Sequence, residues 1–138
     1  MKARILVVDD EPTVLSTMKI ILQTKGHDVV TSPSAAEARA LLAAEDFDLV
    51  MTDMRMETDL AGYDVVQAAK QRPATPAVII MTAVPLLASE WRTRGVDAVF
   101  AKPPNIEELL RTIETLVSTR AQGTATPEQD DNGLTVKG

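Results

Sequence analysis

Five side chains carry the chemistry open to this sequence: Asp9 and Asp10 in "VVDDE", Asp53 in "LVMTD", Thr82 in "VIIMT" and Lys102 in "VFAKP". Three carboxylates drawn together at neutral pH repel one another unless protons or cations compensate them, so their convergence asks for a hard cation. Oxygen-only donors with two or three carboxylates suit Mg²⁺, which keeps several waters and contacts a phosphate. Beside such an ion a carboxylate can attack phosphorus and form an acyl phosphate. Asp53, alone on its strand, is the candidate nucleophile. Phosphoryl transfer needs charge neutralised on the equatorial oxygens more than covalent help from the protein. Lys102 supplies a point charge, Mg²⁺ a second and the Thr82 hydroxyl a hydrogen bond. Neither GxxxxGK[ST] nor GxGxxG occurs in the chain, so there is no case for binding a nucleotide, and the phosphate must arrive on a smaller donor or on another protein.

These residues lie far apart in sequence, and only a particular order of elements brings them to one place. Five short β-branched runs, at 4 to 8, 28 to 31, 48 to 52, 77 to 81 and 97 to 101, lack polar alternation and predict strands buried on both faces. Helical spacing lies between them. The first helix starts at Pro12 and stops at Gly26; the second opens at Ser34, with Glu37 as its capping-box partner. A third begins near Gly62, a fourth covers about Leu86 to Arg94 before Gly95, and a fifth opens at Asn105 with Glu108 and frays near Arg120. Strict alternation predicts an α/β doubly wound five-stranded parallel sheet with right-handed crossovers and helices on both faces. In such sheets, sites form beyond the carboxyl ends of the strands. Asp9 and Asp10, Asp53, Thr82 and Lys102 all fall on that rim.

Bulk properties narrow the possibilities. With 138 residues the chain suits one domain. Its apolar runs are too short to span a bilayer, and the run near the amino terminus ends in acids, so neither a transmembrane segment nor a signal peptide is expected and the cytoplasm is the default location. No cysteine and one histidine exclude disulfides, thiolate sites and a multi-histidine metal cluster. A net charge of −6 and a pI near 4.7 argue against nucleic acid or anionic lipid and for a protein partner. From Ala121 the chain turns polar and aperiodic. We expect residues 1–120 to be the domain and 121–138 a flexible acidic and polar tail; a linker to a further domain would look the same.

"ILVVDDE", "DLVMTDMRM", "IIMTA" and "GVDAVFAKP", in this order and spacing, together resemble the receiver domain of response regulators in bacterial two-component signalling, in particular the stand-alone chemotaxis-type receivers. The resemblance covers Lys2 to about Arg120. It implies a flavodoxin-like (βα)5 three-layer sandwich of strand order 2-1-3-4-5. It implies that Asp53 accepts phosphate from a phosphohistidine on a sensor histidine kinase or phosphotransfer protein, with slow loss of that phosphate, in a signalling domain rather than an enzyme. Asp10 would bind Mg²⁺ directly, Asp9 largely through water, and the Arg55 backbone carbonyl would be a further ligand. Thr82, with Ala83 beside it, and Phe100 would form the phosphate-responsive switch with Lys102, and Lys102–Pro103 would be a cis peptide. A downstream protein would read helix four, strand five and helix five, the receiver acting as a monomer or a phosphorylation-dependent dimer.

Certain positions depart from the family's pattern. Glu57 stands where proline is usual, Gly62 comes about one residue late, and the stretch from Thr82 to Lys102 is a couple of residues short. These affect the loop before helix three and the start of helix four. Arg55, two residues past the acceptor, is expected to point toward the phosphate and to modulate how fast water reaches it. His27 reads as an exposed turn residue, and Trp91, four after Leu87, as packing against the sheet, with anchoring of a partner as the alternative. The methionines at 51, 54 and 56 read as packing, since thioethers are poor Mg²⁺ ligands. Three alternatives stay open: a Mg²⁺-dependent phosphohydrolase using Asp53, an adaptor that has lost phosphorylation, and the receiver piece of a longer regulator or hybrid kinase.

Overall fold

The computed structural model describes residues 2–122, the last two by backbone alone. The expected tail, 121–138, therefore lies almost wholly outside the described residues. Five parallel strands, β1 (Arg4–Val8), β2 (Asp28–Ser32), β3 (Leu49–Asp53), β4 (Ala77–Thr82) and β5 (Ala98–Ala101), alternate with five helices. The helices are α1 (Pro12–Thr24), α2 (Ala35–Ala44), α3 (Ala61–Lys70), α4 (Ala88–Thr93) and α5 (Ile106–Gln122). Strand order is β2-β1-β3-β4-β5, the doubly wound sheet that β-α alternation predicts.

Period-two alternation divides the buried strand residues between two layers. Leu6, Val8, Val50, Val78, Ile80 and Val99 face α2, α3 and α4. Ile5, Val7, Met51, Ile79, Met81 and Phe100 face α1 and α5, where Leu22, Leu109 and Ile113 meet them. Full burial of an aliphatic or aromatic side chain contributes about 1.5–3 kcal/mol, so each layer holds its helices firmly. A third contact gathers the opposite rim: Asp48 accepts the Arg4 backbone N–H at 2.8 Å and the Arg120 guanidinium at 3.1 Å.

The sequence signals set most helix ends. Ser34 Oγ accepts the Glu37 N–H at 3.1 Å and Asn105 Oδ1 the Glu108 N–H at 3.0 Å, opening α2 and α5. Gly26 and Gly95 close the turns after α1 and α4 at φ of +92° and +89°, a backbone region costly for any residue with a Cβ. Helix α4 is shorter than its sequence span suggests, six residues from Ala88. Its first expected residues are extended instead: Leu87 has ψ 124°, and Val84 is bonded back to Thr82.

His27 is a correction. Rather than an exposed turn residue it is buried, with Nδ1 accepting the Ala3 backbone N–H at 3.0 Å and so tying the start of β1 to the turn before β2. Burial holds its pKa below the ordinary value, against the opposing charge of Glu114. Trp91 packs inward and is almost completely buried. Among the described residues no helix is long and apolar enough to cross a membrane.

Candidate functional site at the carboxyl rim of the sheet

Asp53 is the last residue of β3, the central strand, and its Oδ1 accepts the N–H of Met54 at 2.8 Å. Asp9 follows β1 directly: its own N–H continues the ladder to Ser32 O at 3.1 Å, and its Oδ1 accepts the Glu11 N–H at 2.9 Å. Asp10 is exposed beside it. One carboxylate oxygen from each of Asp9, Asp10 and Asp53 falls within 4.8 Å of the other two, a separation a single cation can bridge. All-oxygen donors at this spacing, two of them buried, fit Mg²⁺ or a similar hard ion.

Lys102 reaches the same place from the end of β5. Its Nζ lies 3.1 Å from Asp9 Oδ2 and 3.4 Å from Asp53 Oδ2, while Glu11 Oε1 is 3.9 Å away. Its backbone N–H donates to Thr82 O at 2.9 Å, and Lys102–Pro103 is a cis peptide. Burial pushes the Asp53 carboxyl above its usual range and the neighbouring Asp9 charge adds to this, against the pull of Lys102. For Lys102 burial works toward a lower pKa, but hydrogen bonding to Asp9 and the charges of Asp9 and Asp53 leave it raised. Such a cluster keeps its ammonium charged and its acids under mutual strain, the state a divalent cation relieves.

Thr82 ends β4 with its hydroxyl engaged: Oγ1 donates to Val84 O at 3.1 Å and accepts the Val84 N–H at 3.2 Å. Ala83, next to it, is exposed. Phe100 is not brought together with Thr82. Register pairs Thr82 with Ala101 and Met81 with Phe100, so the Phe100 ring lies in the α1/α5 layer, on the sheet face opposite Thr82. The β5 core residue on the side of Thr82 is Val99, packed in the α2/α3/α4 layer. Alternation along β5, counted from Ala101 beside Thr82, puts Val99 on the face of Thr82 and Phe100 on the other.

Arg55 is exposed, and its guanidinium Nε lies 3.9 Å from Asp59 rather than against the carboxylate cluster. Its loop is closed by Gly62, whose N–H donates to Met54 O at 2.8 Å. A Cβ on Gly62 would fall 2.6 Å from Asp53 O and 2.8 Å from Met54 Cα, so the approach requires glycine. Two contacts were not legible in sequence: Glu11 near Lys102, and Glu57 on the amino terminus of α2. The Ala35 N–H, followed in effect by that of Ala36, holds the Glu57 carboxyl below its usual range.

Residues 5–114 match the family described as the response regulator receiver domain. The chain belongs to this family. Among curated relatives, this receiver is 42% identical over 80 residues to the response regulator protein PilR of Pseudomonas aeruginosa, a match covering 57% of this chain and 18% of PilR. It is 31% identical over 123 residues to Protein PilH of the same organism, covering 84% of this chain and 98% of PilH. The receiver thus spans under a fifth of the length of PilR but nearly all of PilH. Among solved structures, a CheY-like receiver domain protein from Methanospirillum hungatei superposes with TM-score 0.80 at 28% identity, over 90% of this chain and 100% of that one. The response regulator TrrA of Thermotoga maritima, in complex with Mg(2+)-BeF, gives TM-score 0.73 at 29% identity, over 84% and 99%.

Proposed function

We propose that Asp53 is the phosphoacceptor of this receiver and that the cluster of Asp9, Asp10 and Asp53 holds Mg²⁺, with the Arg55 backbone carbonyl as a further ligand. The observation that carries the reading is the convergence of three carboxylates within 4.8 Å of one another beside the Lys102 ammonium. The Mg(2+)-BeF complex of TrrA supports it, since that relative shares the fold and holds the same class of ion with a fluoride of beryllium.

In this mechanism an Asp53 carboxylate oxygen attacks the phosphorus of a phosphohistidine on a sensor kinase or phosphotransfer protein. The P–O bond forms as the P–N bond breaks, and its electron pair leaves with the imidazole. Mg²⁺, when bound, neutralises charge on the transferring oxygens. Lys102, already 3.4 Å from Asp53, offers a second positive charge to the phosphoryl group. The Thr82 hydroxyl leaves Val84 to hydrogen-bond the new phosphoryl oxygen, which frees the β4–α4 connection. The α4, β5 and α5 surface then changes for a downstream protein. Small donors such as acetyl phosphate can serve in place of the kinase, and water slowly removes the phosphate.

Residues 1–120 are the signalling unit in this reading, and 121–138 a tail or linker. It acts in the cytoplasm through protein partners, as a monomer or a phosphorylation-dependent dimer. The match to a small share of PilR favours a second arrangement, the receiver piece of a longer regulator. The length of the native gene product distinguishes the two. A phosphohydrolase is disfavoured because Arg55 stands where a second catalytic acid would be wanted.

The test is incubation with Mg²⁺ and acetyl phosphate, comparing wild type with Asp53→Asn by intact mass. A Mg²⁺-dependent gain of one phosphoryl group, lost in Asp53→Asn, is the expected result. No modification of the wild type with any donor overturns the reading, and rapid turnover of many phosphate esters turns it into the hydrolase.

A further inference from the structure

Glu57 makes a contact between two elements that the sheet does not join. It lies in the β3–α3 loop, exposed to solvent, and its two carboxylate oxygens accept the N–H groups of Ala35 at 2.9 Å and Ala36 at 3.0 Å. These are the first residues of α2, whose own N-cap, Ser34, already takes the Glu37 N–H at 3.1 Å. The helix is capped twice, once by the residue before it and once by a loop from the other side of β3. A carboxylate is well matched to that end of a helix, where N–H donors lack partners and the dipole is positive.

The same contact anchors the loop as well as the helix. Its start is fixed by β3 and by the bond from Met54 N–H to Asp53 Oδ1, and its end by Gly62 against Met54 O. Between these anchors Met56 donates to Thr58 O, and Arg55 pairs with Asp59, both inside the loop. Among the described residues, Glu57 makes the polar side-chain contact that joins this loop to another element. Arg55, the residue read as offering a backbone oxygen to the cation, lies between the Asp53 anchor and the Glu57 anchor.

We propose that Glu57 is a positioning residue for the cation site: by clamping the β3–α3 loop to the amino terminus of α2, it sets the backbone at Arg55 before the ion arrives. The proposal rests on the reading of Asp9, Asp10, Asp53 and Arg55 as Mg²⁺ ligands. A ligand whose place is set in advance loses less freedom on binding, and the partners that orient ligands matter for affinity nearly as the ligands do. Because the clamp ends on α2, the same contact makes the first turn of α2 sensitive to whether the loop is ordered.

Calorimetric titration of MgCl₂ into the unphosphorylated chain tests this with two variants that each remove a cap from α2. Glu57→Ala frees the loop, whereas Ser34→Ala weakens the helix and leaves the loop clamped. We expect Glu57→Ala to raise the Mg²⁺ Kd about tenfold, by the scale typical of groups that orient metal ligands, and Ser34→Ala to leave it near wild type. Should Glu57→Ala not fold, Glu57→Gln, which keeps one acceptor, is expected to fall between. Wild-type affinity in the Glu57 variants overturns the proposal, as does an equal loss in Ser34→Ala, which would assign the effect to α2 stability. Absence of Mg²⁺ binding by the wild type itself overturns the cation reading and the clamp with it, and is seen before any variant is made.

Discussion

Lys102 and Asp9 stand 93 positions apart in the chain and meet at 3.1 Å, Nζ to Oδ2. Asp9 is fully buried, and this ammonium is the countercharge beside its carboxylate. The same pairing places the lysine in competition with any cation drawn to the cluster.

Lys102→Met therefore has two opposite effects. The metal-free protein loses about 1–3 kcal/mol of stability, less than for a fully buried pair because Lys102 is partly exposed. Its affinity for Mg²⁺ rises about tenfold, equal to about 1.4 kcal/mol, because the ion no longer competes with an ammonium. Urea unfolding with and without MgCl₂ measures both, and an unchanged or weaker Mg²⁺ affinity contradicts the competition.

Gly62→Ala puts a methyl group where Asp53 O and Met54 Cα already stand, at 2.6 and 2.8 Å. Backbone cannot swing away as a side chain can, so the substitution should cost about 1–3 kcal/mol, the usual range for overpacking. Since the displaced atoms belong to the acceptor and its neighbour, the rate of modification by acetyl phosphate should fall as well. Thermal unfolding and the time course of phosphorylation check the two effects.

His27 predicts a pH dependence away from the carboxylates. Its folded pKa is depressed below the ordinary 6.5, with burial as the leading cause. The unfolded chain then binds a proton that the folded chain refuses. Stability from this residue is full above about pH 6.5 and is lost as the pH falls through the lower, folded value. His27→Gln keeps an acceptor for the Ala3 N–H and does not titrate, so the difference in urea midpoint between pH 7.5 and pH 5.5 should shrink. An undiminished difference would place the pH dependence elsewhere.

Among the described residues Arg55 is held by an exposed pairing with Asp59 at 3.9 Å, a kind of contact worth about 0–1 kcal/mol. Its guanidinium is free to swing toward a phosphoryl group on Asp53, two residues back. Arg55→Ala is expected to change the rate of phosphate loss by at least about twofold. Mass spectrometry of the phosphorylated protein after donor removal measures it, and an unchanged rate removes Arg55 from the hydrolytic step.

The alternation of β-branched runs with helical spacing was enough to predict a doubly wound parallel sheet and to place Asp9, Asp53, Thr82 and Lys102 on one rim, because each of these residues ends or directly follows a strand; the order of the strands came only with the family resemblance. Phe100 had its switch role from the family resemblance, and the faces of the sheet do not support it. An aromatic residue near Lys102 invites a role in the switch, but a shift of one position along a strand changes the face, and Phe100 belongs to the layer opposite Thr82. His27 follows a lysine and a glycine that signal a turn, and only the tertiary contact with Ala3 reveals that it is buried. Glu57 was visible as an unusual loop residue, whereas its partner on α2 depends on how β3 and β1 lie side by side, which no local pattern encodes. Helix α4 is short because Leu87, inside the expected span, keeps an extended backbone, and the helix begins only at Ala88.

Trp91 is the only tryptophan in the chain. Its indole is buried beneath α4, Nε1 meets no hydrogen-bond partner among the described residues, and the Arg92 guanidinium lies 5.2 Å from the ring centroid. A displacement of α4 cannot occur without changing the polarity around this one chromophore. The receiver thus carries a native optical gauge on the face proposed to address its partners, and the emission of the unlabelled protein can follow that face as Mg²⁺ and phosphodonor are added.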